Sequence, residues 1–379
     1  MKKLFYVAVA LLVVFELANV WFIMPLPGSQ RVRSIDIAYA LHEWRWIVRG
    51  TLGVIIAAAL PFVWRAPRSA RVWATTSLVA LSGIVYLANV RMAADQIFIA
   101  PTSLDLQPAS HNKVPASALV VGVSLAGEAR AYPVRFLGYH HQVRDSVGGR
   151  PILVSYCTVC RTGRVFDPVV DGRAESFRLV GMDHFNAMFE DRTTGSWWRQ
   201  ANGEAIVGPR KGTTLREIES RQVKLSEWLG LHPRSLVMQA DSALAERYPK
   251  DDDYETGKSR KTLTGTDTVS WHDKAWVVGV SVGGESKAYD WNRLRRERVV
   301  NDDVGGTPVV LALASDDASF FAYRRADTTR YVLRADSLVS GNRAYFLGGD
   351  GEAGVLAPMQ ASQEFWHSWR TFHPGTKTY

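Results

Sequence analysis

The sequence predicts an α+β protein: three N-terminal transmembrane helices followed by a β-rich soluble domain made of two tandem repeats. Three observations carry this. Long apolar runs recur three times in the first hundred residues. The segment Ala118–Tyr132 (ALVVGVSLAGEARAY) reappears as Ala275–Tyr289 (AWVVGVSVGGESKAY). Short apolar strands separated by Gly pairs fill most of the rest. The implied organisation is a membrane domain at 1–99, a first repeat at 100–240, a polar linker at 241–274 and a second, degenerate repeat at 275–379.

The first run, Leu4–Met24, is interrupted only by Glu16 and Asn19 and is long enough to cross the hydrocarbon core. It follows Lys2 and Lys3 as a signal peptide would. No small-x-small site ends it, so an uncleaved anchor is expected. Trp46–Trp64 and Val72–Val90 are the other two runs, with Trp44, Trp46, Trp64 and Trp73 at their ends as interfacial anchors. Glu16 reads either as an intramembrane functional carboxylate or as a carboxyl packed against Asn19 or a neighbouring helix.

The 379 residues hold 45 Lys+Arg against 37 Asp+Glu, a formal charge of +8, which taken whole invites a nucleic-acid reading. Ten of those basic residues and only four acidic ones precede residue 101. The remainder is +2 over 279 residues, so the basicity belongs to the membrane domain. The expected partner is therefore a lipid bilayer, with no nucleic acid. The Arg65–Arg71 loop contains no acid, whereas Asp36 and Glu43 sit in the loop between the first two spans. That asymmetry favours a cytoplasmic N-terminus in the cytoplasmic membrane and an extracytoplasmic, periplasmic-type soluble domain.

Within the repeats, Val120–Leu125 and Ala129–Tyr132 read as strands around a turn. Gly148-Gly149 and Gly305-Gly306 mark hairpins, and Ile152–Tyr156 and Val309–Leu313 are short apolar strands. Ser362–Phe372 reads as a closing helix capped by Ser362, with Phe365, Trp366, Trp369 and Phe372 on one face. Residues found in both copies are expected to serve the shared fold: Asp145 and Asp302, the Gly pairs, and His232 and His373. Residues found in one copy are free to serve a site.

The only two cysteines, Cys157 and Cys160, form a C-x-x-C at the end of a predicted strand, after Tyr156. The spacing permits a reversible disulfide, and Arg161 and Arg164 are expected to favour the thiolate. Three readings stand: thiol redox chemistry, with a thiol or disulfide protein as partner; a metal site for Cu(I) or zinc, completed from His140, His141, Met182 and His184; and an inert disulfide. A second single-copy stretch gathers Asp183, His184, Asn186, Asp191, Trp197, Trp198 and Gln200, as a polar pocket with aromatic walls would. His140 and His184 are the candidates for proton handling.

These stretches, with Gly203–Pro209 and the terminal Trp369…His373-Pro374, resemble the prokaryotic family called domain of unknown function 3179. The resemblance covers about residues 100–379. It is carried by Tyr-Cys-x-x-Cys together with Asp-Arg-x-Thr-x-Ser-Trp, here Asp191 to Trp197. Family members of this type include candidate selenoproteins, with selenocysteine in the cysteine motif. The resemblance therefore implies redox chemistry at Cys157 or Cys160. The family usually shows Cys-Pro-x-Cys and His-Glu where this chain has Thr158 and His140-His141.

Overall fold

A computed structural model describes residues 1–348 and 356–379. The chain forms two compact units that interleave along the sequence. One comprises Met1–Ile99 with Phe177–Arg199 and Glu204–Thr213; the other comprises Ala100–Ser176, Gln200–Gly203 and Thr214–Tyr379.

In the first unit, α1 (Lys2–Ile23), α2 (Ile35–Trp64) and α3 (Arg68–Tyr86) are three helices long and apolar enough to cross a membrane, α3 continuing through a π-helical turn at Leu87–Arg91. Phe5, Leu12, Ala59, Val63, Ala74 and Leu81 pack between them. Helix α2 begins at Ile35 rather than at Trp46. Asp36, His42, Glu43 and Arg45 lower the hydropathy there, while Ile35 and Ala38 are buried against Val180, Met188, Trp197 and Ile206. Glu16 is fully buried and is clasped across the three helices. Arg49 donates to its two oxygens at 2.7 and 2.8 Å, and Asn89 Nδ2 donates at 2.8 Å. Asn19 instead donates to Phe15 O of its own helix, at 3.0 Å.

The same unit holds a four-stranded antiparallel sheet in the order Ala205–Val207, Trp197–Arg199, Asn186–Asp191, Phe177–Asp183. The Asp191–Trp197 motif is the hairpin between its two central strands. Asp191 Oδ1 accepts from Thr194 N at 2.5 Å and Asp191 Oδ2 from Trp198 Nε1 at 2.8 Å. Trp197 and Trp198 are buried core side chains rather than an open platform.

In the second unit, one succession of elements occurs twice. Strands Leu119–Leu125 and Glu128–Pro133, helix Val134–His140, and strands Gln142–Val147, Arg150–Cys157 and Thr162–Asp167 come first. Strands Trp276–Val282 and Glu285–Asp290, helix Trp291–Glu297, and strands Val299–Val304, Thr307–Leu313 and Phe320–Arg324 follow in the same order. Sequence-local physics fixes these pieces: alternating or continuous apolar residues make the strands, and Gly148-Gly149 and Gly305-Gly306, all with positive φ, make the tight hairpins. Tyr132 donates to Asp145 at 2.7 Å, and Tyr289 to Asp302 at 3.0 Å. A Cβ on Gly122 would lie 2.3 Å from Trp228, and one on Gly279 2.1 Å from Trp369, so each strand needs glycine where a Trp crosses it. Those indoles pack on His232 (centroids 4.2 Å apart) and His373 (3.6 Å), which accounts for both His-Pro pairs.

The closing helix is shorter than its sequence pattern. Ala361–Phe365 is a strand paired with Trp276–Val282, Ser362 opposite Gly279, and only Trp366–Phe372 is helical. All five strand residues are buried although the strand lies at the edge of its sheet, a pattern of two covered faces and not of one face of a helix.

Candidate functional site

Cys157 ends the strand Arg150–Cys157 and faces Thr162 across the hairpin that Thr158, Val159, Cys160 and Arg161 close. Arg161 sits at φ 57°, in the left-handed region that side chains other than Gly, Asn and Asp seldom occupy. Both cysteines are fully buried, and the Cys160 thiol is hydrogen-bonded with Cys157 and with the Ser368 hydroxyl. Burial pushes the Cys160 thiol well above its ordinary value, aided by Cys157, while Ser368 and the charge of Lys274 oppose the shift.

The hairpin is embedded in residues from the far end of the chain. Phe365 N donates to Cys160 O at 2.9 Å. Lys274 Nζ donates to Val159 O at 2.6 Å and to Leu263 O at 2.7 Å, and lies 3.2 Å from His367 Nε2. His367 Nε2 is in turn 3.1 Å from Val159 O. Burial first, and then Lys274, lower the His367 pKa to about 4, which leaves the imidazole neutral at pH 7. Thr162 Oγ1 is 3.3 Å from Ser368 Oγ, which donates to Glu364 at 2.8 Å.

The two arginines do not serve the sulfurs as their sequence positions suggest. Arg161 turns into the protein: Nε donates to Gln363 Oε1 (2.9 Å), Nη1 to Tyr254 O (2.8 Å) and Nη2 to Glu255 O (3.1 Å), and its guanidinium lies 3.6 Å from the Trp276 ring centroid. Arg164 binds Glu364 at 2.5 Å, Glu217 at 3.2 Å, the Ser362 hydroxyl, and Ala201 O at 3.0 Å. A buried guanidinium needs several acceptors, and these are the ones in reach. The cation that bears on Cys160 is Lys274.

Tyr156 lies beside the site, its hydroxyl 3.2 Å from that of Tyr254, which donates to Thr158 O at 3.1 Å. His140 is buried at the end of its helix with Nε2 2.7 Å from Tyr248 OH. His141 is the left-handed residue that ends that helix, and burial lowers its pKa to about 4. Gln200 Nε2 reaches Ser155 Oγ at 3.1 Å and Thr162 O at 3.0 Å, bracing the two strands of the hairpin.

The other sequence-selected residues, Asp183, His184, Asn186, Asp191 and Trp197, together with Met182, belong to the unit that contains the helices. There Asp183 accepts from Arg199 at 2.7 Å and lies 2.8 Å from His184 Nδ1. Asn186 is fully buried, and Trp197 donates to Glu190 at 2.9 Å. Among the described residues no group of three or more His, Cys, Asp or Glu side chains is placed to hold a metal ion. Sequence reasoning missed Lys274, His367 and Ser368, which lie more than a hundred positions from the cysteines and carry no local motif that ties them to the pair.

No curated protein and no solved structure matches the chain. A family model described as "Protein of unknown function (DUF3179)" matches residues 102–376, nearly all of the chain beyond the helices. With that match over most of its length, the chain belongs to the domain of unknown function 3179 family.

Proposed function

We propose that the protein is a membrane-anchored thiol/disulfide redox protein whose Cys157–Cys160 pair faces the extracytoplasmic side. The observation that carries the reading is the pairing of two buried thiols on one hairpin, beside Lys274, whose charge opposes the burial that holds the Cys160 thiol up. In the exchange, the dithiol gives two electrons and two protons to a partner disulfide. One thiolate attacks a partner sulfur and expels the other partner thiolate; the second cysteine then attacks the mixed disulfide, closing Cys157–Cys160 and releasing the partner as a dithiol. Because both sulfurs are buried, the partner reaches them only when the residues that cover them move aside.

Equilibrating the full chain with thiol/disulfide buffers and trapping the thiols tests this. A potential between about −270 and −120 mV, the span of known exchange proteins, is expected, and one below roughly −300 mV would mark an inert bridge and sink the proposal.

A further inference from the structure

The turn between α2 and α3 carries a groove of about 410 Å³ that the redox reading does not use. One wall is Trp64, the last residue of α2. The other is a single face of α3, where Arg68, Arg71 and Val72, and Thr75 and Thr76 recur at helical spacing. All six side chains are exposed, and among the described residues neither Arg68, Arg71 nor the adjacent Arg65 has an ion-pair partner. The Arg65–Arg71 loop offers no carboxylate of its own.

The position along the spans says what meets these cations. The apolar run of α2 ends at Trp64 and that of α3 begins at Val72, so the groove lies where hydrocarbon gives way to headgroups. Trp64 and Trp73, each more than half exposed, are the side chains suited to that level. Two guanidinium groups there face an environment whose abundant anion is the lipid phosphate, and arginine's planar fork suits phosphate oxygens. The exposed Val72 and Trp64 continue the groove into apolar surface, as an acyl chain requires.

We propose that this groove binds the headgroup of one anionic phospholipid, its phosphate held by Arg68 and Arg71 and its chain lying along Val72 and Trp64. The site is independent of the cysteine chemistry and stands or falls without it.

The test uses the full chain in phosphatidylcholine nanodiscs with a minor fraction of phosphatidylglycerol, reading co-purified lipid by mass spectrometry after a delipidating wash. Wild type and an R31Q control, which alters an exposed arginine of the other loop, should retain phosphatidylglycerol above its bulk share. R68Q/R71Q should lose roughly thirtyfold in that preference, the equivalent of about 1 kcal/mol for each of two cations. Equal retention by R68Q/R71Q and wild type overturns the proposal. So does stabilisation of wild type by inorganic phosphate in pure phosphatidylcholine to the same extent, which would make this a soluble-anion site. A second measurement needs no variant: the wild-type preference must weaken as salt rises, because exposed charge is screened within about 8–10 Å at ordinary ionic strength. A salt-insensitive preference also refutes it.

Discussion

Replacing Arg161 by Met separates a structural role for this residue from the thiol-activating role its sequence position suggests. The side chain is 1% exposed and makes three hydrogen bonds, to Gln363, Tyr254 O and Glu255 O, with Trp276 stacked beneath it. Each charged hydrogen bond contributes about 1.5–3 kcal/mol net, and a desolvated cation–π contact about 2 kcal/mol. Against this stands the cost of burying the guanidinium, several kcal/mol, which Met does not incur. Met fills the alkyl volume but leaves one amide oxygen and two carbonyls without their donor. The net loss expected is about 3–5 kcal/mol, the range for breaking a buried charged network from one side. For a unit of this size that lowers Tm by roughly 6–20 °C. Unfolding of the full chain in micelles, followed by tryptophan fluorescence, measures it, and alkylation rate against pH reports the thiol in the same variant. A variant that unfolds within about 1 kcal/mol of wild type while its thiol titrates at a pH differing by more than about one from wild type would refute the reasoning.

Lys274→Met should raise the Cys160 thiol pKa further and so slow its alkylation several-fold at a fixed alkaline pH, with Lys274→Arg restoring most of the rate; equal rates in all three proteins would remove Lys274 from the site. His141 and His367 have pKa values lowered to about 4 in the folded chain, against about 6.5 unfolded. Between those values the unfolded state binds the extra protons, so the stability present above pH 6.5 is lost as pH falls toward 4, by on the order of 3 kcal/mol for each histidine. Chemical denaturation at pH 7 and pH 5 should show that slope, and His367→Gln should flatten it. In the membrane unit, Glu16→Leu strands the half-buried Arg49 and should cost about 2–4 kcal/mol, whereas Glu16→Leu/Arg49→Met should recover most of that loss in a detergent-unfolding assay. A double variant as unstable as the single one would show that the pair does not act together.

How much of this was legible follows the range of the interaction. The three spans could be read because twenty or so apolar residues in a row need no partner to be recognised. The hairpins at Gly148-Gly149 and Gly305-Gly306 could be read because a two-residue turn demands positive φ at both positions. The first turns of α2 could not be read, since Ile35 and Ala38 bury themselves against strands more than a hundred residues away. Ser362 offered a plausible helix cap in isolation, yet the free edge of Trp276–Val282 takes Ala361–Phe365 as a strand. Propensity yields there to the sheet's need to pair its backbone groups.

The candidate site divides the same way. The sequence alone determined that two cysteines stand three apart at the end of a strand, that three apolar helices precede them and that the net basicity lies with those helices. Only the tertiary structure decided what surrounds the sulfurs. Lys274 reaches Val159 across 115 positions, and Ser368 approaches Thr162 across 206, while Arg161, next to Cys160 in the chain, turns away to hold Tyr254 and Glu255. Spacing along a chain fixes which residues share a turn or a face. Which cation sits beside a buried thiol depends on how distant sheets pack and on where each buried charge finds its acceptors.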